Sequence, residues 1–123
     1  MVTTLALESA MSTIVDLATA QLVAYNASEL EDFVNCYHRD VRVFEGDALV
    51  CEGREAFRER YRRLFTEFEF GGTVDERLTV GDHCVELELW WRIDPATGER
   101  SEGEILVCYE AREGLIGVVR FLR

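Results

Sequence analysis

Thiols, imidazoles and guanidiniums are the reactive side chains this sequence offers besides its carboxylates, and their spacing limits the chemistry. Cys36, Cys51, Cys84 and Cys108 form no C-x-x-C pair, and with His38 and His83 they show no metal-ligand rhythm. Buried, reduced thiols are therefore expected, not a zinc site or a disulfide frame. All thirteen basic residues are arginine, so no lysine exists to form a Schiff base. Arg54, Arg58, Arg60, Arg62 and Arg63 interleave with Glu55, Glu59 and Glu67. Charges three and four apart pair along a helix face, and no Gly-rich anion loop accompanies them, so the run reads as a solvated surface. His38 is expected to end a short helix as a C-terminal cap, and His83 to sit exposed beside the Gly81-Asp82 turn.

The 123 residues make one domain, 48% apolar, with enough chain to bury a core. A net charge of −11 argues against nucleic acid as a partner, because a polyanion needs a basic surface. No stretch reaches the length of a membrane span, and no basic segment followed by an apolar run opens the chain. The expectation is a soluble, cytoplasmic protein. The all-arginine usage reads as codon bias of a GC-rich bacterial genome.

These side chains must be positioned by a short list of elements. Leu7, Met11, Ile14, Val15, Ala18, Leu22 and Tyr25 form one stripe, which predicts a helix over residues 5–25. Asn26-Ala27-Ser28 interrupts it, and Ser28 with Glu31 reads as a capping box opening a second helix over 28–38. Val41 and Val43, then Leu49-Val50-Cys51, predict two short strands around Glu45-Gly46-Asp47. Phe57, Tyr61, Leu64, Phe65 and Phe68 predict a third helix over 54–68. Gly71-Gly72 breaks that pattern, and strands are expected over 73–80, 84–93, 104–112 and 115–122, turning at Gly81-Asp82, at Asp94–Gly98 and at Glu113-Gly114. The order α-α-β-β-α followed by four longer strands implies an α+β fold with helices on one face of a curved, mostly antiparallel sheet. In the strand over 84–93, Val85, Leu87, Leu89, Trp91 and Ile93 are expected against the helices. Cys84, Glu86, Glu88, Trp90 and Arg92 are expected on the outer face, with Trp90 either an interface anchor or a partly exposed ring stacked on a neighbour.

The segment 25–68, with its N-A-S-E-L helix start, its V-R-V-F-E-G strand end and its G-R-E-A-F-R helix, resembles the nuclear transport factor 2-like superfamily, which includes ketosteroid isomerases and SnoaL-like cyclases. The resemblance implies a cone whose open end is a ligand pocket, and a homodimer formed through the outer sheet face. It also implies that the catalytic base of isomerase relatives falls on Glu45. The tyrosine donor of those relatives falls on Gln21 and their protonated aspartate near Cys108, neither of them an acid of comparable strength. Steroid isomerisation by the relatives' mechanism is therefore not expected. Glu110, two residues beyond Cys108, is a second carboxylate expected on the same face, and Tyr25 or Tyr37 can offer a phenol from the helical wall. The functional expectation is a cofactor-independent acid–base enzyme (isomerase, dehydratase, hydrolase or cyclase) acting on a small apolar ligand through Glu45. A non-catalytic binding or interaction module is the alternative.

Overall fold

The computed structural model describes residues 13–123. Helix α1 (Ile14–Asn26) opens with a capping box in which the Asp16 N–H donates to Thr13 Oγ1 and the Thr13 N–H donates to Asp16 Oδ2, both at 3.1 Å. The stretch 5–12 of the expected first helix lies outside the described residues. At its far end the Glu29 N–H reaches the Ala24 carbonyl and the Ser28 N–H the Tyr25 carbonyl, with Ser28 at φ 57°. That is the Schellman stop, with Ser28 in the left-handed place usually taken by glycine. Ser28 therefore ends α1 and does not cap the next helix, and the expected box with Glu31 is not formed. Helix α2 is only Leu30–Val34, begun at Glu29 without a side-chain cap.

Helix α2 stops at Val34, four residues short of the expected end at 38, and the chain turns extended at Tyr37. Strand β1 (Tyr37–Glu45) pairs with β2 (Ala48–Glu52) through the Gly46-Asp47 turn, and α3 (Arg54–Glu67) follows. His38 accordingly caps no helix. It is buried in β1, accepts from the Asp40 N–H through Nδ1 at 3.0 Å, and pairs through Nε2 with Glu113 at 2.9 Å. Strands β3 (Glu69–Val80), β4 (His83–Ile93), β5 (Arg100–Arg112) and β6 (Leu115–Leu122) follow. Gly71-Gly72 lies inside β3, not before it.

The six strands form one curved, unclosed sheet in the order β2-β1-β6-β5-β4-β3. Only β1 and β6 run parallel; every other neighbouring pair is antiparallel. The architecture is α+β, with the three helices on the concave face. Among the described residues no helix is long and apolar enough to cross a membrane. The core lies between sheet and helices, and Phe33 is its hub. Its ring centroid is 5.0 Å from those of Tyr61 and Phe65, 5.1 Å from Tyr37 and 5.5 Å from Phe57. Phe57, Tyr61 and Phe65 reach it together because residues four apart share one helix face.

The faces of β4 are the reverse of those expected. Cys84 and Glu86 are buried beneath the helices, and Glu88, Trp90 and Arg92 continue along that same concave face. Val85, Leu87, Leu89 and Trp91 look outward, Leu89 being 40% exposed. Alternation shows that a strand has two faces without saying which is covered. Here the covered face is polar because part of it borders a cavity.

Candidate functional site

The concave face of the sheet and the helices above it enclose a cavity of about 380 Å³. Gln21 and Tyr25 enter it from α1, four residues apart and so on one helix face. Tyr37 comes from β1, Arg60 and Tyr61 from α3, Glu88, Trp90 and Arg92 from β4, and Tyr109 from β5. All four tyrosines of the chain line this space, and Glu88 is its one lining carboxylate among the described residues.

Room for that carboxylate is made by β3. The Asn26 side chain clamps Gly72, donating to its carbonyl at 2.9 Å and accepting from its N–H at 2.8 Å. The missing side chain at Gly72 leaves the space that Glu88 Oε1 fills. Burial, reinforced by the charge of Glu86 two residues back, pushes the Glu88 carboxyl up to about 7. Glu86 itself is 2% exposed and is held by Arg77 at 2.6 Å. Burial likewise raises the phenols of Tyr25, Tyr37 and Tyr109, and that of Tyr61 to about 12, each helped by the charge of Glu88. The tyrosines therefore stay protonated hydrogen-bond donors at neutral pH, beside a carboxyl able to give or take a proton there.

Two of the polar groups are already committed. The Tyr37 hydroxyl donates to Gln21 Oε1 at 3.1 Å, and Gln21 Nε2 donates to the Ala18 carbonyl at 3.1 Å. Among the described residues the Tyr25 and Tyr109 hydroxyls have no such partner. Gln21, 4% exposed, thus fixes Tyr37 more than it serves a ligand.

Of the residues singled out in the sequence, Gln21, Tyr25 and Tyr37 line the cavity. Glu45 does not. Its carboxylate lies half-buried at the end of β1, bonded to Arg60 at 3.4 Å and Arg123 at 3.2 Å, both of which are lining residues. Cys108 and Glu110 lie on the outer sheet face, because their register partners Val85 and His83 do. Glu110 Oε1 is 4.0 Å from His83 Nε2. Cys36, Cys51, Cys84 and Cys108 carry free thiols. Glu88, Tyr61, Tyr109 and Arg92 were not foreseen as site residues. A signal was present in β4: a strand face made of Cys84, Glu86, Glu88, Trp90 and Arg92 mixes thiol, indole and charge in a way that suits neither open solvent nor a plain core.

A SnoaL-like domain model matches residues 18–118. Among curated proteins none matches this chain in sequence. Solved structures match in fold. A cystatin-fold protein of Novosphingobium aromaticivorans is 20% identical over 91% of this chain and 99% of its own, with a TM-score of 0.82. A Mycobacterium tuberculosis protein in complex with estradiol-17beta-hemisuccinate is 15% identical over 91% of this chain and 95% of its own, with a TM-score of 0.79. An epoxide hydrolase of the LEH-like type from the same organism is 14% identical over 90% and 82%, with a TM-score of 0.76.

Proposed function

The chain belongs to the SnoaL-like domain family of the nuclear transport factor 2-like superfamily, and from that premise we propose that it binds a small, largely apolar organic molecule in its cone and moves protons on it through Glu88. One observation carries the reading: the only carboxylate that the described residues bring to the cavity is pushed up to about 7 in a wall that also holds every tyrosine of the chain. A group poised near neutral pH serves equally as acid and base. The Tyr25 and Tyr109 hydroxyls are donors for an oxygen on which charge develops as the proton leaves. The apolar side of the wall, with Phe33, Leu64, Ile105 and Val119, fits a ring-shaped body. The steroid complex of a protein with a similar fold supports such a ligand. Glu45 drops from base to a tether of Arg60 and Arg123, while Gln21, Tyr25 and Tyr37 remain ligand-wall residues.

The test is isotope exchange. Cyclic ketones that native mass spectrometry shows bound to the protein are incubated in heavy water, and deuterium entering beside the carbonyl is followed by NMR. Exchange that Glu88→Gln abolishes, with binding retained, is the expected result. Bound ketones that exchange no faster than in buffer overturn the catalytic half. The non-catalytic binding module then stands, a reading favoured by the mutual commitment of Gln21 and Tyr37.

A homodimer belongs to the same proposal. The outward set Leu78, Leu87, Leu89 and Leu106 runs across adjacent strands β3, β4 and β5, with Leu78 76% exposed. An apolar sheet face of this kind is a contact surface, and a second copy offers the matching face.

A further inference from the structure

The charge of the cavity wall runs against that of the protein. The chain carries −11, yet among the described residues the lining places three guanidiniums, Arg60, Arg92 and Arg123, against the single carboxylate Glu88. Arg60 and Arg123 share Glu45. Elsewhere Arg39, Arg42, Arg58, Arg62, Arg63, Arg77, Arg100, Arg112 and Arg120 each have a carboxylate within reach, and Arg54 donates to the Tyr37 carbonyl at 3.2 Å. Arg92 differs. Among the described residues no carboxylate pairs with it, and its guanidinium instead stacks over the Trp90 ring at 5.0 Å.

A half-buried cation without a counter-charge is costly unless something else supplies one. This cation is also rigidly mounted. Arg92 is paired on both sides of its strand, with Phe70 of β3 and Ser101 of β5, and its guanidinium rests on the indole of Trp90. The planar fork of a guanidinium matches the two oxygens of a carboxylate. A single guanidinium with no Gly-rich loop suits a monoanion, not a phosphate. Glu88 stands four residues back on the same face, about 13 Å along the strand, so the two groups do not satisfy each other.

We propose that the ligand of this cavity carries a carboxylate or similar monoanionic group on its apolar body, and that Arg92 binds that group while Glu88 faces the other part of the molecule. This rests on the binding reading above and narrows its ligand to organic acids.

The experiment compares 2-naphthoate with 2-naphthamide, probes of one skeleton and different charge, by calorimetry below neutral pH and at two salt concentrations. The carboxylate is expected to bind about tenfold more tightly than the amide, with the margin shrinking as salt rises. Arg92→Met is expected to erase the margin between the two probes, and Arg92→Lys to keep part of it. Should Arg92→Met not fold by circular dichroism, Arg92→Gln takes its place. Equal affinities in the wild type, a tighter amide, or a margin that survives in the uncharged variant overturns the assignment. Binding of neither probe overturns the apolar-ligand reading as well, which separates the two failures.

Discussion

Gly72 makes room for Glu88: a methyl group at Gly72 would lie 2.9 Å from Glu88 Oε1. The glycine is not there for an unusual backbone angle, since it sits in regular strand paired with Trp90. Its hydrogen keeps the floor of the cavity open at the point where the carboxyl turns in.

Gly72→Ala is therefore expected to displace the carboxyl without harming the fold. A strand accepts alanine about as well as glycine, so below pH 4.5, where Glu88 is protonated folded and unfolded alike, unfolding free energy should change by less than about 1 kcal/mol. The midpoint of Glu88, followed by carbon NMR of its carboxyl, should leave the neighbourhood of 7. An unchanged midpoint would show that Gly72 does not shape the site.

Glu88 also makes a pH-dependent contribution to stability. Its carboxyl titrates near 7 when folded and at the ordinary 4.5 when unfolded, so between these values the folded chain holds a proton that the unfolded chain has lost. Stability then falls as pH rises through that window, and the penalty is complete above 7, on the order of 3 kcal/mol. The groups facing Glu88 are Tyr25 of α1, Tyr61 of α3, Tyr37 of β1 and Tyr109 of β5, with Glu86 on its own strand and Arg92 farther along it. All remain in Glu88→Gln, which isolates the one carboxyl. Denaturant titrations should find this variant more stable than the wild type above pH 7 and equal to it at the acid end. A difference that is flat across the window refutes the buried carboxyl.

For the outer face, light scattering on a sizing column should give twice the chain mass for the wild type. Leu106, 41% exposed on β5 and opposite Leu87, lies within the apolar patch. Leu106→Arg places a charge there that a buried interface cannot hold, so the variant should elute as a monomer with an unchanged helix and strand spectrum. A monomeric wild type, or a variant that stays paired, removes this face from consideration.

Much of the architecture was legible because it is written locally. Phe57, Tyr61 and Phe65 recur at the spacing of a helix, and α3 spans Arg54–Glu67. Gly-containing turns mark the hairpins, and β6 runs over Leu115–Leu122 as expected after the Glu113-Gly114 turn. Local signals failed where two of them competed for one residue. Ser28 carries both a helix-start signature and the stop of α1, and hydrogen bonds from Ser28 and Glu29 back to Tyr25 and Ala24 settle it as the stop.

The choice between Glu45 and Glu88 was beyond any local signal. Both are strand carboxylates, and the sequence by itself determined only that each alternates with apolar neighbours. Which one is enclosed depends on the direction in which the sheet curls and on what the helices cover, a property of contacts between α1, α3 and β4 far apart in the chain. Tertiary structure turned the polar face of β4 inward and left Leu87 and Leu89 outside. It placed Glu45 among arginines and withdrew Glu88 from water, and that withdrawal raises its proton affinity.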